Sequence, residues 1–118
     1  MDTKYTIIDT STWVRKVPFE WFNSFNNPTY GFNVKIDVTS IVEYSKETNT
    51  SFFANFLYVV ARAINEVDAL KLRLIGGNVV LYERIDPDFT IKTKDGSFNN
   101  AGFTYTKVYK EFYSNVEM

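Results

Sequence analysis

Two residue types are missing from this chain, which contains neither cysteine nor histidine. Without cysteine there is no disulfide and no thiolate nucleophile. Without histidine the usual general base of neutral pH and a common transition-metal ligand are absent too. Zinc, copper and haem sites are therefore not expected. Proline is scarce, with three scattered residues, and no repeat, low-complexity tract or Pro/Ser-rich linker divides the chain. A single domain over residues 1–118 is expected. Hydrophobic runs are short as well. None approaches the roughly 18 apolar residues of a membrane span, and the start, Met1-Asp2-Thr3-Lys4-Tyr5, has no apolar signal core, which predicts a cytoplasmic protein without membrane contacts. Neither sign of charge prevails. Thirteen basic residues face fourteen acidic ones, which leaves no basic footprint for a nucleic acid.

What the chain has in excess is aromatic surface. Eleven Phe, eight Tyr and two Trp make up 18% of it, more than one small core commonly needs, and this predicts a large pocket or a surface meant for a partner. The pattern reads as one α+β unit. An extended start over Tyr5 to Ile8 precedes a helix beginning near Pro18, whose face carries Phe19, Phe22 and Phe25 and which ends in the Asn23 to Pro28 stretch. Phe32, Val34, Ile36 and Val38 alternate with Asn33, Lys35, Asp37 and Thr39, a half-buried strand pattern. Ser40 and Glu43 have capping-box spacing for a short helix. The strongest helical segment runs from about Phe52 to Val67, opened by Thr50 or Ser51. Leu70, Leu72 and Leu74 alternate into the turn signal Gly76-Gly77-Asn78, and Val79 to Ile85 run back as a hairpin. Asp86-Pro87-Asp88 forms the turn into a strand over Phe89 to Thr93. Asp95-Gly96 marks another turn, and Val108, Phe112 and Val116 predict a last helix with a weakly anchored end at Met118.

Taken in order, Trp13-Val14-Arg15, Phe19-Glu20 and Ile36-Asp37-Val38-Thr39 resemble the opening of chloramphenicol acetyltransferases. The resemblance continues through Phe52-Phe53, Tyr58, the Ala61 to Asn65 stretch, the Leu70 to Tyr82 hairpin and Asp86-Pro87-Asp88-Phe89-Thr90. It implies a two-layer α/β sandwich, incomplete here, of which residues 1–118 are the amino-terminal part. It further implies a homotrimer with its active site between subunits, acetyl-CoA as co-substrate, and chloramphenicol or a similar hydroxylated compound as acceptor, the chemistry of antibiotic resistance.

The family's general base is a histidine in a His-His-x-x-x-Asp-Gly motif near its carboxyl terminus, and a serine of the later half steadies the tetrahedral intermediate. Neither has a counterpart here, so no catalytic residue is assigned. An alcohol is a poor nucleophile near neutral pH, and a well-matched base contributes on the order of 100- to 10,000-fold. The chain alone is therefore expected to be inactive. By resemblance, Arg15 is the arginine that pairs with the aspartate of the base motif and supports the active site. Unpaired, it should turn to water or find Glu20 or another acid. Trp21, Phe22 and Tyr30 match positions that line the acceptor pocket, with Asn26, Asp88 and Phe98 as further candidates. Ordinary core packing is the competing reading of these aromatics. Phe22 stands where the family commonly carries a tyrosine, and loss of that hydroxyl weakens chloramphenicol as the specific acceptor. Two other readings are a non-catalytic ligand- or partner-binding remnant of the fold, and one half of a split acyltransferase. Gly76-Gly77 is too short and wrongly placed for a phosphate loop, and Asp37 is expected to be solvated or capping.

Overall fold

In the computed structural model, which describes residues 3–117, strand β1 (Tyr5–Ile7) and the hairpin of β2 (Leu72–Ile75) and β3 (Asn78–Tyr82) form an antiparallel sheet in the order β1-β3-β2. The hairpin turns at the glycine pair. Ile75 pairs with Asn78, leaving Gly76 and Gly77 as the two turn residues with φ of 55° and 82°. Positive φ at both positions matches the twist of the flanking strands, and glycine reaches it without a Cβ clash. Val79 and Val80 on the central strand are both buried. Adjacent strand residues point to opposite faces, so β3 is covered on both sides at this point.

Helix α1 spans Lys16–Asn23, α2 Thr39–Thr48, α3 Phe52–Asn65 and α4 Tyr109–Glu117, and a single 3₁₀ turn over Asp68–Lys71 leads from α3 into β2. Helix α3 is the framework helix. Ser51 caps it, its Oγ accepting the Ala54 N–H at 3.2 Å, and it buries Ala54, Asn55 and Ala61. Helix α4 packs against it through Phe112, which is 0% exposed and meets the rings of Tyr58 and Phe103 edge-on at 5.2 and 4.9 Å. Helix α4 is anchored further by Tyr113, whose Oη accepts the Ser51 N–H at 2.9 Å, while the weakly anchored end expected at Met118 lies outside the described residues.

Three local readings need correction. The Ser40 to Glu43 spacing does not make a capping box, because α2 begins at Thr39, and Val38, two residues before Ser40, is its N-cap. Asp37 serves there instead, accepting the Thr39 N–H at 2.9 Å and the Thr39 hydroxyl at 2.6 Å. The alternating segment from Phe32 to Val38 is no ladder strand. Among the described residues the backbone of 31–36 makes no hydrogen bond, and Phe32, Val34 and Ile36 are 78%, 66% and 65% exposed. Alternation marks a segment fit for pairing, and pairing needs a neighbour that these residues do not supply. Lastly, β4 (Asp88–Lys92) pairs with β5 (Phe98–Gly102) in a separate two-stranded ribbon. The sequence Phe98-Asn99-Asn100-Ala101-Gly102 lacks the apolar alternation that would announce a strand.

The result is an open molecule. Its radius of gyration is 17.7 Å, against about 13.5 Å for a compact domain of this length. Its accessible surface is 9323 Å², against about 6,600 Å² for a compact monomer of this mass.

A polar clamp joins the distant pieces. Arg84 Nε donates to Asp86 Oδ1 at 2.7 Å, and Arg84 Nη2 donates to Asp86 Oδ2 and to Thr3 Oγ1 at 3.3 and 3.0 Å. The Tyr105 N–H adds a bond to Asp86 Oδ1 at 2.7 Å. Burial raises the Asp86 pKa, but the bonds from Arg84 and Tyr105 and the Arg84 charge outweigh it, so the carboxyl titrates below its ordinary range. A depressed carboxylate stabilises the fold above its unfolded pKa and loses that contribution as pH falls through the folded value. Denaturant midpoints should therefore fall as pH drops below about 4, and Asp86→Asn should be less stable at pH 7 with a flatter acid limb. Phe112→Ala should cost about 3–5 kcal/mol in urea unfolding, because it empties the contact between α3 and α4.

Candidate functional site

The aromatic residues around α1 do not pack into the core; they frame a cleft. Arg15 is the N-cap of α1, and Phe19, Phe22 and Asn23, spaced by three and four, share one face of the helix. Opposite them stand Trp13, Pro28 and Tyr30 from the flanking loops and Leu74 from β2, enclosing a cavity of about 400 Å³. This lies within the size range of small-molecule pockets. The Trp13 and Phe19 rings meet at 5.6 Å. Phe22 is held from behind by Trp21 and Phe25, with ring centroids 4.9 and 5.4 Å away. Tyr30 stacks on Phe32 at 6.4 Å and is 86% exposed, so it forms the outer lip of the cleft and not its floor.

Arg15, Phe22 and Tyr30, which the sequence singles out separately, thus meet on one cavity. Trp21 stands behind Phe22 and does not line it. Asn26 follows the helix end outside the lining set. Asp88 lines a different cavity, with Leu57, Val60 and Pro87. Phe98 sits on β5 opposite Lys92. Trp13, Pro18, Phe19, Asn23, Pro28 and Leu74 complete the cleft without having been singled out as lining. The helical spacing of Phe19, Phe22 and Asn23 was a legible signal for two of them, whereas nothing local in the sequence announces that Leu74 faces α1.

The electrostatics of the cleft are simple. Among the described residues the Arg15 side chain makes no hydrogen bond or ion pair, and Glu20 does not pair with it. The guanidinium faces solvent, the first of the outcomes expected for it. No group of three or more acidic side chains gathered as for a metal occurs among the described residues, and no helix there is long and apolar enough to cross a membrane.

A second cavity, of about 330 Å³, lies between α2, α3 and α4 and is lined by Tyr44, Tyr58, Tyr109, Ile41 and Val59, with Asn55 at its base. Its polar groups are already matched to one another. Tyr109 Oη donates to Asn55 Oδ1 at 2.5 Å, and Asn55 Nδ2 donates to Ser45 Oγ and Thr50 Oγ1 at 2.9 and 2.8 Å. Burial, followed by the neighbouring Tyr44 hydroxyl, pushes the Tyr109 pKa up to about 12. A phenol whose folded pKa is raised stabilises the fold fully below the unfolded value near 10 and loses this as pH rises through the folded one. Ultraviolet titration should show one tyrosine ionising near pH 12, accompanied by alkaline loosening of the helical layer, and Tyr109→Phe should remove that late step.

Comparison with known proteins places the geometry in a family. The sequence pattern of the family described as chloramphenicol acetyltransferase matches residues 3–118. A chloramphenicol acetyltransferase of Proteus mirabilis is 25% identical, over 98% of this chain and 52% of its own length. One from Klebsiella sp. is 26% identical, over 96% of this chain and 49% of its own. A solved chloramphenicol acetyltransferase superposes with a TM-score of 0.90 at 33% identity, covering 97% of this chain and 54% of the other. The chain therefore spans about half the length of the relatives it matches.

Proposed function

This chain belongs to the chloramphenicol acetyltransferase family, and we propose that it forms the acceptor-binding, amino-terminal part of an acetyl-CoA-dependent O-acetyltransferase. The observation that carries this reading is the meeting of Arg15, Phe22 and Tyr30 on one cleft. Aromatic walls hold the body of a hydroxylated acceptor. Arg15 is a positioning residue: it anchors, through a carboxylate, the loop that carries the base. Acetyl-CoA supplies the acetyl group. The base takes the acceptor hydroxyl proton as the oxygen attacks the thioester carbonyl, and the tetrahedral intermediate collapses with release of the CoA thiol, which recovers the proton.

These 118 residues contain no histidine, so the base comes from polypeptide beyond them. In the complete assembly we place the site between subunits of a homotrimer in the cytoplasm. The acceptor is a hydroxylated compound resembling chloramphenicol, though Phe22 offers no hydroxyl where the family commonly has one. The exposed, unpaired Arg15 favours a second reading for the chain by itself: a binding module that holds a ligand in the cleft without turning it over.

Purified alone, the chain should show no acetyl-CoA-dependent acetylation above the uncatalysed rate. Co-expression with the carboxyl-terminal half of a homologue should restore CoA release with a hydroxylated acceptor. Arg15→Ala should cut that rate on the order of 100-fold, the effect of mislocating a catalytic group by about 1 Å. A carboxyl half with its base histidine replaced by alanine should assemble and stay inactive. Turnover by the lone chain, or soluble co-purifying halves that acetylate none of a panel of acceptors, defeats the acyltransferase reading.

A further inference from the structure

The groove between α2, α3 and α4 shares no residue with the α1 cleft. On α3, Asn55, Val59, Arg62 and Glu66 follow one another at spacings of three and four and so share one stripe, which Arg62 and Glu66 close as an exposed ion pair at 3.1 Å. The apolar residues Phe53, Leu57, Val60 and Ile64 occupy the opposite side of the helix, so the groove opens on its polar, solvent side. Three tyrosines surround it. Tyr109 meets Tyr44 at 6.2 Å with 77° between the ring planes, and Tyr58 at 5.3 Å with 80°, which turns ring faces of different orientation onto one space of about 330 Å³. No Asp, Glu, Lys or Arg lines that space. The deeper hydroxyls are engaged elsewhere: Tyr58 Oη donates to the Lys107 carbonyl at 2.6 Å and accepts from Arg62 at 3.1 Å, and Tyr109 Oη donates to Asn55. What remains for a ligand is ring surface, with Ile41 and Val59 beside it.

The face of an aromatic ring is the negative pole of its quadrupole and attracts a cation within about 6 Å of the centroid. A primary ammonium leaving water needs acceptors for three N–H groups, which this groove does not offer. A trimethylammonium spreads its charge over methyl groups and needs none. Charge on α2 adds to the attraction. Glu43 and Glu47 are exposed, in helical register with Ser40 and Tyr44, and form no ion pair among the described residues, whereas Arg62 is answered by Glu66. Lys107 and Lys110, on either side of Tyr109, are exposed and lie outside the lining. We propose that this groove binds a small quaternary ammonium compound, its methylated head among Tyr44, Tyr58 and Tyr109. A hydroxyl on the ligand would meet Ser40 at the rim, whose side chain makes no hydrogen bond among the described residues. The proposal rests on the helical layer and not on acyl transfer, so either can fail while the other stands.

Choline and 3,3-dimethylbutan-1-ol have the same shape, the charged nitrogen of one being a carbon in the other, and they separate charge from fit. Each is titrated into the 118-residue chain and followed in aromatic ¹H–¹³C spectra. Choline should give saturable shifts of the Tyr44, Tyr58 and Tyr109 rings and leave Trp13 and Phe22 of the α1 cleft unmoved. It should bind about fivefold more tightly than the neutral alcohol, the ratio that about 1 kcal/mol of cation–ring attraction produces, and ethanolamine should bind more weakly than choline. Tyr44→Leu, at a position 44% exposed where circular dichroism should stay unchanged, should remove most of that advantage. Tyr44→Phe, which keeps the ring face, should retain it. Equal affinity for choline and the alcohol, an advantage that Tyr44→Leu leaves intact or that Tyr44→Phe abolishes, ethanolamine binding as tightly as choline, or no saturable shift with choline overturns the assignment.

Discussion

One buried amide holds the helical layer together. Asn55, on the framework helix α3, is 4% exposed, donates to Ser45 of α2 and to Thr50 before α3, and accepts from Tyr109 of α4. A buried amide left unmatched costs about 1–3 kcal/mol, so these partners must keep their places together. Ten residues further along the same helix, Asn65 repeats the device towards the sheet. Its Nδ2 donates to the Ile85 carbonyl at 2.9 Å, and its Oδ1 accepts the Ile85 N–H at 2.8 Å. One asparagine binds helix to helix, and the other binds helix to the segment that follows β3. Phe112 fills the space between, and the Arg84–Asp86 clamp extends the framework to Thr3 and Tyr105.

The cleft lies outside that framework. Of its walls only Leu74 belongs to the sheet, while α1 and its flanking loops supply the rest. None of α1's eight residues is buried, and the segment that follows runs extended with its apolar side chains in solvent. The molecule therefore combines a rigid region, in which nearly every buried polar group is matched, with a binding region that has walls and no lid. Residues with few buried contacts occupy the low-stability end of a structure, where ligands and partners exert most influence.

Legibility in the sequence followed the same division. Signals that depend on neighbours in the chain were readable: the Ser51 cap, the glycine-pair turn, the apolar periodicity of α3 and the helical placing of Phe112. The resemblance, carried by the order of several short motifs, supplied the family and singled out Arg15, Phe22 and Tyr30, though not their meeting on one cleft. Signals that depend on distant partners were not readable. The alternation at Phe32, Val34 and Ile36 is a true strand pattern, but a strand is a relation between two segments, and one sequence window cannot show whether the second is present. The ribbon strand at Phe98 was hidden for the opposite reason. Its pairing rests on backbone bonds to β4, with only Ala101 partly covered, so no apolar face was needed to form it. Asn55 and Asn65 look in sequence like ordinary polar residues on a helix, and their roles exist only once Tyr109 and Ile85 arrive.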